Sequence, residues 1–279
     1  MRRLIRDLIP PTIRRAIKRR LEISKPNTVR ELISEARQAI RELEDVRAQM
    51  AIIESLDSSL GMIIESPKYI GSDDAGFNGQ QNRKKIFMDL IKTIKFDALI
   101  ETGTWFGNTA GFMHKAAKLP VFTCELNRCY YLVAKTRLAD LPAITLDMGD
   151  SRQFLKSLAG GRLSRQVLFF YLDAHWNEDL PLKYEIEIIT SKWEEFVIMI
   201  DDFKVPGDDG YGFDNYGEGK SLTLETLAAQ IRTHALRVFF PSTHSSKETG
   251  AKRGCVVLAR RGALSDRISR LGSLRLEEL

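Results

Sequence analysis

From about residue 83 to residue 200, short uninterrupted apolar runs alternate with longer stretches of helical periodicity. The spacing predicts a helix over Lys84–Thr93 before a strand at Ala98–Glu101, then a helix over 108–118 before a strand at 121–125. It continues with a helix over 128–139 before a strand at 143–147, and a helix over 151–158 before a strand at 167–172. A helix over 180–190 then precedes a strand at 196–200. Alternation of this kind implies βαβ units, right-handed crossovers and a parallel sheet. The last two apolar runs, Leu236–Phe240 and Gly254–Ala259, are joined by a polar loop too short for a crossover helix. They are expected as an antiparallel hairpin at one edge of the sheet.

Ahead of this region the pattern changes twice. In residues 1–24, Leu4, Ile5, Leu8 and Ile9 share a helical face, Pro10-Pro11 breaks it, and Ile13, Ala16, Ile17 and Leu21 resume it. Residues 28–55 lack Gly and Pro and place Val29, Leu32, Ala36, Ala39, Leu43, Val46, Met50 and Ile53 at alternating spacings of three and four. That is the seam of a coiled coil, so self-association is one expectation and packing against the chain's own domain the other. Ser66-Pro67 and the Gly/Asp-rich stretch to Gly76 read as a linker. The expected organisation is a basic amphipathic arm (1–24), a helical segment (25–66) and an α/β domain (67–279).

Charge sharpens this division. The 279 residues carry 42 basic and 37 acidic side chains, a net of +5, but residues 1–20 hold eight basic groups against Asp7 alone. The rest is left with 34 basic and 36 acidic groups, so the positive charge is an arm and not the folded groove a polyanion needs. No nucleic acid partner is expected. The arm suits either peripheral contact with an anionic membrane or partner, or plain solvation. No apolar run is long enough to span a membrane and no secretory signal is evident, so the expected location is cytoplasmic. Cys124, Cys129 and Cys255 form neither a CxxC pair nor an even framework and read as reduced thiols.

Open α/β sheets bind ligands at the carboxyl ends of their strands. After the first strand comes Glu101-Thr102-Gly103-Thr104-Trp105-Phe106-Gly107-Asn108-Thr109: an acid, two glycines, then a helix. Gly103 allows close backbone approach to a ligand, and Gly107 close packing at the helix start. The glycine spacing is not the GxGxxG that seats a dinucleotide pyrophosphate, and an acid at the loop's mouth suits a cationic ligand group better. The second strand ends on Glu125, placed to accept ribose hydroxyls, and the third is followed by Gly149-Asp150-Ser151, a turn fit for adenine or simply a helix cap.

These motifs, in this order, resemble the class I S-adenosylmethionine-dependent methyltransferases over roughly residues 77–260. The resemblance implies a Rossmann-like α/β fold with a seven-stranded sheet, mostly parallel, its last strand antiparallel. It implies that Glu101 and Gly103 flank the methionine part of S-adenosylmethionine and that Thr102, Thr104, Gly107 and Thr109 also belong to the cofactor site. Glu125 would hold the ribose, Asp150 and Ser151 would meet the adenine, and the Gly76–Gln80 segment would cover the cofactor.

The fourth strand ends in Asp173-Ala174-His175-Trp176 and the fifth in Asp201-Asp202. Neighbouring strands thus bring three carboxylates to one edge, and such a cluster repels itself unless a cation compensates. Oxygen ligands favour Mg²⁺ or a similar hard ion. His175 is placed as the general base for an alcohol acceptor. This arrangement resembles the metal-dependent sugar O-methyltransferases of macrolide and aminocoumarin antibiotics. The resemblance implies Asp173, Asp201 and Asp202 as metal ligands, His175 as base, and a sugar-like or glycan acceptor. The Asp-x-His-Trp stretch also resembles catechol O-methyltransferases, but Asn177 stands where those place a lysine. The 203–217 insertion adds aromatic rings and carboxylates to the active edge, and the loop carrying His244 is expected at the same mouth. A metal-independent methyltransferase and a catalytically silent cofactor-binding scaffold are the competing expectations.

Overall fold

The computed structural model describes residues 37, 38, 40–44, 46 and 47, and residues 73–278 apart from 176–178. The chain divides into two compact units, Met1–Asp57 and Ser58–Leu279. The described residues of the first unit are helical, and Ile40, Leu43 and Val46 on them are exposed. The basic arm, most of the 28–55 seam and residues 66–72 of the linker lie outside the described residues. Among the described residues no helix is long and apolar enough to cross a membrane.

The second unit is a Rossmann-like α/β fold. Its strands are β1 (Ala98–Thr102), β2 (Val121–Glu125), β3 (Ile144–Met148), β4 (Leu168–Leu172), β5 (Phe196–Ile200), β6 (Leu236–Pro241), β7 (Val256–Arg260) and β8 (Leu274–Glu277). They form one sheet in the order 3-2-1-4-5-7-6-8. β1 to β5 are parallel, whereas β7 runs antiparallel to both β5 and β6. The expected α/β class and antiparallel β6–β7 pair are both present. The hairpin, however, is not an edge: β7 inserts between β5 and β6, and β8 pairs outside β6 as an eighth strand. β7 can occupy an interior position because its Val256, Val257, Leu258 and Ala259 are all buried.

Alternate residues of each strand feed opposite layers, as the pleat requires. On one face Ile100, Phe170, Leu172, Ile198 and Ile200 pack with α5 (Leu182–Lys192) and α6 (Leu224–Thr233). On the other, Leu99, Phe169, Val197, Met199 and Val257 pack with α1 (Gln81–Thr93) and α2 (Asn108–Ala117). Burying each of these large apolar side chains contributes about 1.5–3 kcal/mol. The remaining helices are α3 (Arg128–Arg137), α4 (Ser151–Ala159) and α7 (Ala263–Ile268). This frame holds the carboxyl ends of β1 to β5 side by side.

Candidate active site

The loop after β1 is strapped to its neighbours. The amides of Gly103 and Thr104 both donate to the Cys124 carbonyl, at 3.0 and 3.1 Å. Gly103 has φ +85°, and a Cβ there would lie 2.4 Å from the Asp173 carbonyl oxygen. The sequence suggests this glycine for ligand approach; its packing reason is the tip of β4. Gly107 caps α2 in the left-handed region, φ +77°, with Leu138 against it, so close packing at the helix start is present.

Glu125 accepts from the amides of Trp105 at 2.8 Å and Asn127 at 2.7 Å. Each carboxylate oxygen keeps a lone pair for a further donor. Burial raises its pKa, and those backbone donors oppose the shift. Glu101 is fully enclosed. Thr123 donates to its Oε2 at 2.6 Å, Thr104 lies 2.5 Å from Thr123, and Oε1 has no partner among the described residues. Burial pushes Glu101 up to about 8, with the Thr123 bond opposing and the Glu125 charge adding.

Other residues of the expected cofactor set have structural partners. The Thr109 hydroxyl accepts from the Phe77 amide at 3.1 Å. Asp150 caps α4 through the amides of Arg152 and Gln153 and also pairs with the Arg152 guanidinium, so the helix-cap alternative describes its side chain. Thr102 and Ser151 lie beside Glu185 of α5, an enclosed acid that sequence reasoning missed; burial raises it to about 7, opposed by those two hydroxyls. In the Gly76–Gln80 segment, Phe77 is buried among Phe87, Phe112 and Tyr171. Asn78 turns its amide toward Asp201, at 3.5 Å.

At the ends of β4 and β5 the structure gathers Asp173, His175 and Asp202, with one candidate ligand atom from each lying within 4.8 Å of the others. Asp201 is not brought to this group. It follows Val197 and Met199 onto the α1 face, where Arg83 pairs with Oδ1 and the Tyr171 hydroxyl donates to Oδ2. The Asp202 amide also donates to Asp201 Oδ1, at 2.6 Å. Asp202 itself leaves the strand at φ +52° and points into the cluster.

A residue that the sequence did not single out completes the centre. Asp214, from the 203–217 insertion, places Oδ2 3.9 Å from His175 Nε2, which lies 3.8 Å from Asp173 Oδ1. That nitrogen is enclosed and has no hydrogen-bond partner among the described residues. Burial lowers the pKa of His175, and Asp202 and Asp214 oppose the shift. Asp173 is raised well above the carboxylate range by desolvation and by Asp202. Tyr216 contacts Asp214 and lies 3.3 Å from the His175 carbonyl. Arg253 sends Nε to Asp202 Oδ1 at 2.7 Å and Nη2 to Asp214 Oδ1.

The insertion is laced down by main-chain bonds from Asp214 to the Asp202 carbonyl and from Gly212 to Lys252, each 2.9 Å. His244 turns elsewhere: it is exposed, beside Asp208 and Ser246. The sequence placed the insertion's carboxylates at this edge without distinguishing Asp214, and it gave no signal for Arg253, since antiparallel β7 and a loop crossing bring it in.

No protein-family model matches the chain, and no curated protein matches it in sequence. Solved structures similar to it include the O-methyltransferase from Bacillus cereus in complex with SAH, at 14% identity over 75% of this chain and 90% of that one, TM-score 0.48. Two others are the O-methyltransferase TomG from Streptomyces achromogenes (14% identity, 64% and 80% covered, TM-score 0.44) and precorrin-6y C5,15-methyltransferase from Geobacter metallireducens GS-15 (12% identity, 64% and 87% covered, TM-score 0.42).

Proposed function

We propose that this chain is an S-adenosylmethionine-dependent O-methyltransferase acting on a hydroxyl of a small, sugar-like acceptor, assisted by a hard divalent cation such as Mg²⁺. One contact carries the reading. Gly103 of the acid-and-glycine loop abuts the backbone of Asp173, which opens the His175 centre. A donor held by that loop is therefore delivered to a group able to take a proton.

S-adenosylmethionine, when bound, supplies an electrophilic methyl group on a sulfonium. Glu125 has acceptor capacity left for two ribose hydroxyls, and the unpartnered oxygen of Glu101 suits the cationic methionine end. Asp173 and Asp202 are assigned to the divalent ion, which would supply charge compensation at the acceptor oxygen. His175 Nε2 cannot both ligate and accept a proton, and the reading gives it the proton. Burial favours its neutral form, and the Asp214 carboxylate stands ready to stabilise the imidazolium. Tyr216 and Asp214 give the acceptor side the ring and carboxylate that a polyhydroxyl compound uses.

A metal-independent mechanism is the second reading, favoured by one observation: Arg253 already gives Asp202 a positive partner. Residues 28–55 are assigned to self-association and 1–24 to peripheral contact. The test of the main reading is calorimetry with S-adenosylhomocysteine, followed by methyl transfer to vicinal diols with Mg²⁺ or with EDTA. Absence of cofactor binding by the folded chain overturns it.

A further inference from the structure

We propose that Arg253 is a resident counter-cation of the acidic centre, exchangeable with a divalent metal ion, and that its position sets the metal affinity of the site. The proposal rests on the divalent-ion part of the reading above. It starts from a mismatch of charge. Asp173, Asp202 and Asp214 surround His175, and Arg83, the other arginine nearby, is committed to Asp201. The guanidinium of Arg253 takes one oxygen of Asp202 and one of Asp214. Meanwhile the enclosed His175 Nε2, its side chain 2% exposed, faces the cluster with no hydrogen-bond partner among the described residues. The centre is therefore partly compensated and has an unsatisfied donor-acceptor group aimed into it.

The two cations cannot share the site without cost. A guanidinium and a divalent ion on the same carboxylate repel each other strongly in a partly enclosed, low-dielectric space. Arg253 also removes an oxygen lone pair from Asp202, one of the three residues whose ligand atoms converge.

The backbone of Arg253 is fixed while its side chain has a way out. Gln80 takes both main-chain groups, accepting from the amide at 2.9 Å and donating to the carbonyl at 2.8 Å. Arg83 holds the same carbonyl and that of Gly254. The side chain lies over Gly212, where a Cβ would come within 3.1 Å of Nη1 and 3.3 Å of Cδ, a tight contact that the absence of a side chain there avoids. It is 27% exposed, against 1% for Arg83. An outward swing of the long side chain to solvent frees the oxygens of Asp202 and Asp214 with no change in the main chain. The Arg83–Asp201 pair has no such route.

The experiment is Mn²⁺ binding to the full chain, read by the electron paramagnetic resonance signal of free Mn²⁺ and by calorimetry. Arg253→Met is expected to tighten Mn²⁺ by about tenfold or more, since a one-charge repulsion and a competitor are both lost. Arg253→Lys keeps the charge and should stay near wild type. Binding of S-adenosylhomocysteine and the melting temperature show that each variant is folded; should Arg253→Met fail there, Arg253→Gln serves in its place. Unchanged or weaker Mn²⁺ binding in the neutral variant overturns the exchange while leaving the metal reading intact. Mn²⁺ binding by neither protein, with cofactor binding retained, overturns the metal reading and this proposal together.

Discussion

Arg83 and Asp201 form an ion pair closed off from solvent on every side, their side chains 1% and 0% exposed. The pair joins α1 to the end of β5, and the Tyr171 hydroxyl and the Asp202 amide close around the same carboxylate. Asp201 thus fixes the backbone from which Asp202 projects. The sequence-based expectation gave both aspartates to a metal, whereas the geometry gives the buried one a guanidinium.

Asp201→Asn should therefore act on stability first. Removing one partner of a buried pair leaves the other uncompensated, a loss of about 3–5 kcal/mol. Urea denaturation of the variant should show that loss, and Arg83→Met combined with Asp201→Leu should recover part of it. Mn²⁺ affinity of the folded Asp201→Asn protein should change little. A large loss of metal binding with unchanged stability would return Asp201 to the ligand set.

Cofactor binding should be coupled to proton release through Glu101. Burial holds this acid near 8, so at pH 7 it is mostly protonated, and a cationic ligand beside it favours the ionised form. Affinity for S-adenosylmethionine should rise with pH, by up to about tenfold per unit below 8, and level off above. Calorimetry in buffers of different ionisation enthalpy counts the released proton, and Glu101→Gln should abolish the dependence. The same shift sets the sign for folding. A carboxyl raised from 4.5 to about 8 binds more protons folded than unfolded, so its contribution to stability falls as pH rises through that window. A pH-independent dissociation constant would separate Glu101 from the cationic end of the ligand.

Glu125→Ala should weaken S-adenosylhomocysteine binding by about 1–3 kcal/mol, since a charged acceptor to the ribose is lost and the amides of Trp105 and Asn127 lose their partner. Calorimetry at a pH where Glu101 is ionised isolates this effect. Wild-type affinity in the variant would move the ribose elsewhere.

The sheet was readable because β1, β4 and β5 are buried along their whole length, which leaves apolar runs that stand out between amphipathic helices. The acids Glu101, Glu125, Asp173 and Asp202 were readable as strand ends for the same reason. That property also hid the difference between Asp201 and Asp202. A strand apolar on both faces gives no sign of which face each terminal residue continues, and only the pleat, followed through Val197 and Met199, sends Asp201 to Arg83. Asp214 was legible only as one of several carboxylates in the insertion and Arg253 carried no signal, because the antiparallel pairing of β7 with β5 and the main-chain bonds of the insertion bring them together. β8, four residues with one exposed leucine, was too short to register as a strand.

Proton acceptance by His175 is independent of whether a metal takes part. His175 is enclosed, and its burial lowers its pKa from 6.5, so the neutral imidazole is the resting form at pH 7. A base must be neutral to act. At saturating S-adenosylmethionine, which removes the Glu101 dependence, kcat/KM for the acceptor should rise with pH along an acid limb whose midpoint lies below 6.5, and then stay level through neutrality. His175→Ala should keep cofactor binding and lower turnover by about 10²–10⁴-fold. Asp214→Asn should move the acid limb to still lower pH, because that carboxylate stabilises the imidazolium. The measurement is a pH–rate series on wild type and both variants, run once with Mg²⁺ and once with EDTA after elemental analysis has shown the protein metal-free. An acid limb that survives in His175→Ala assigns the proton to another group, and full activity in EDTA leaves His175 with Arg253 as the counter-cation of a metal-independent centre.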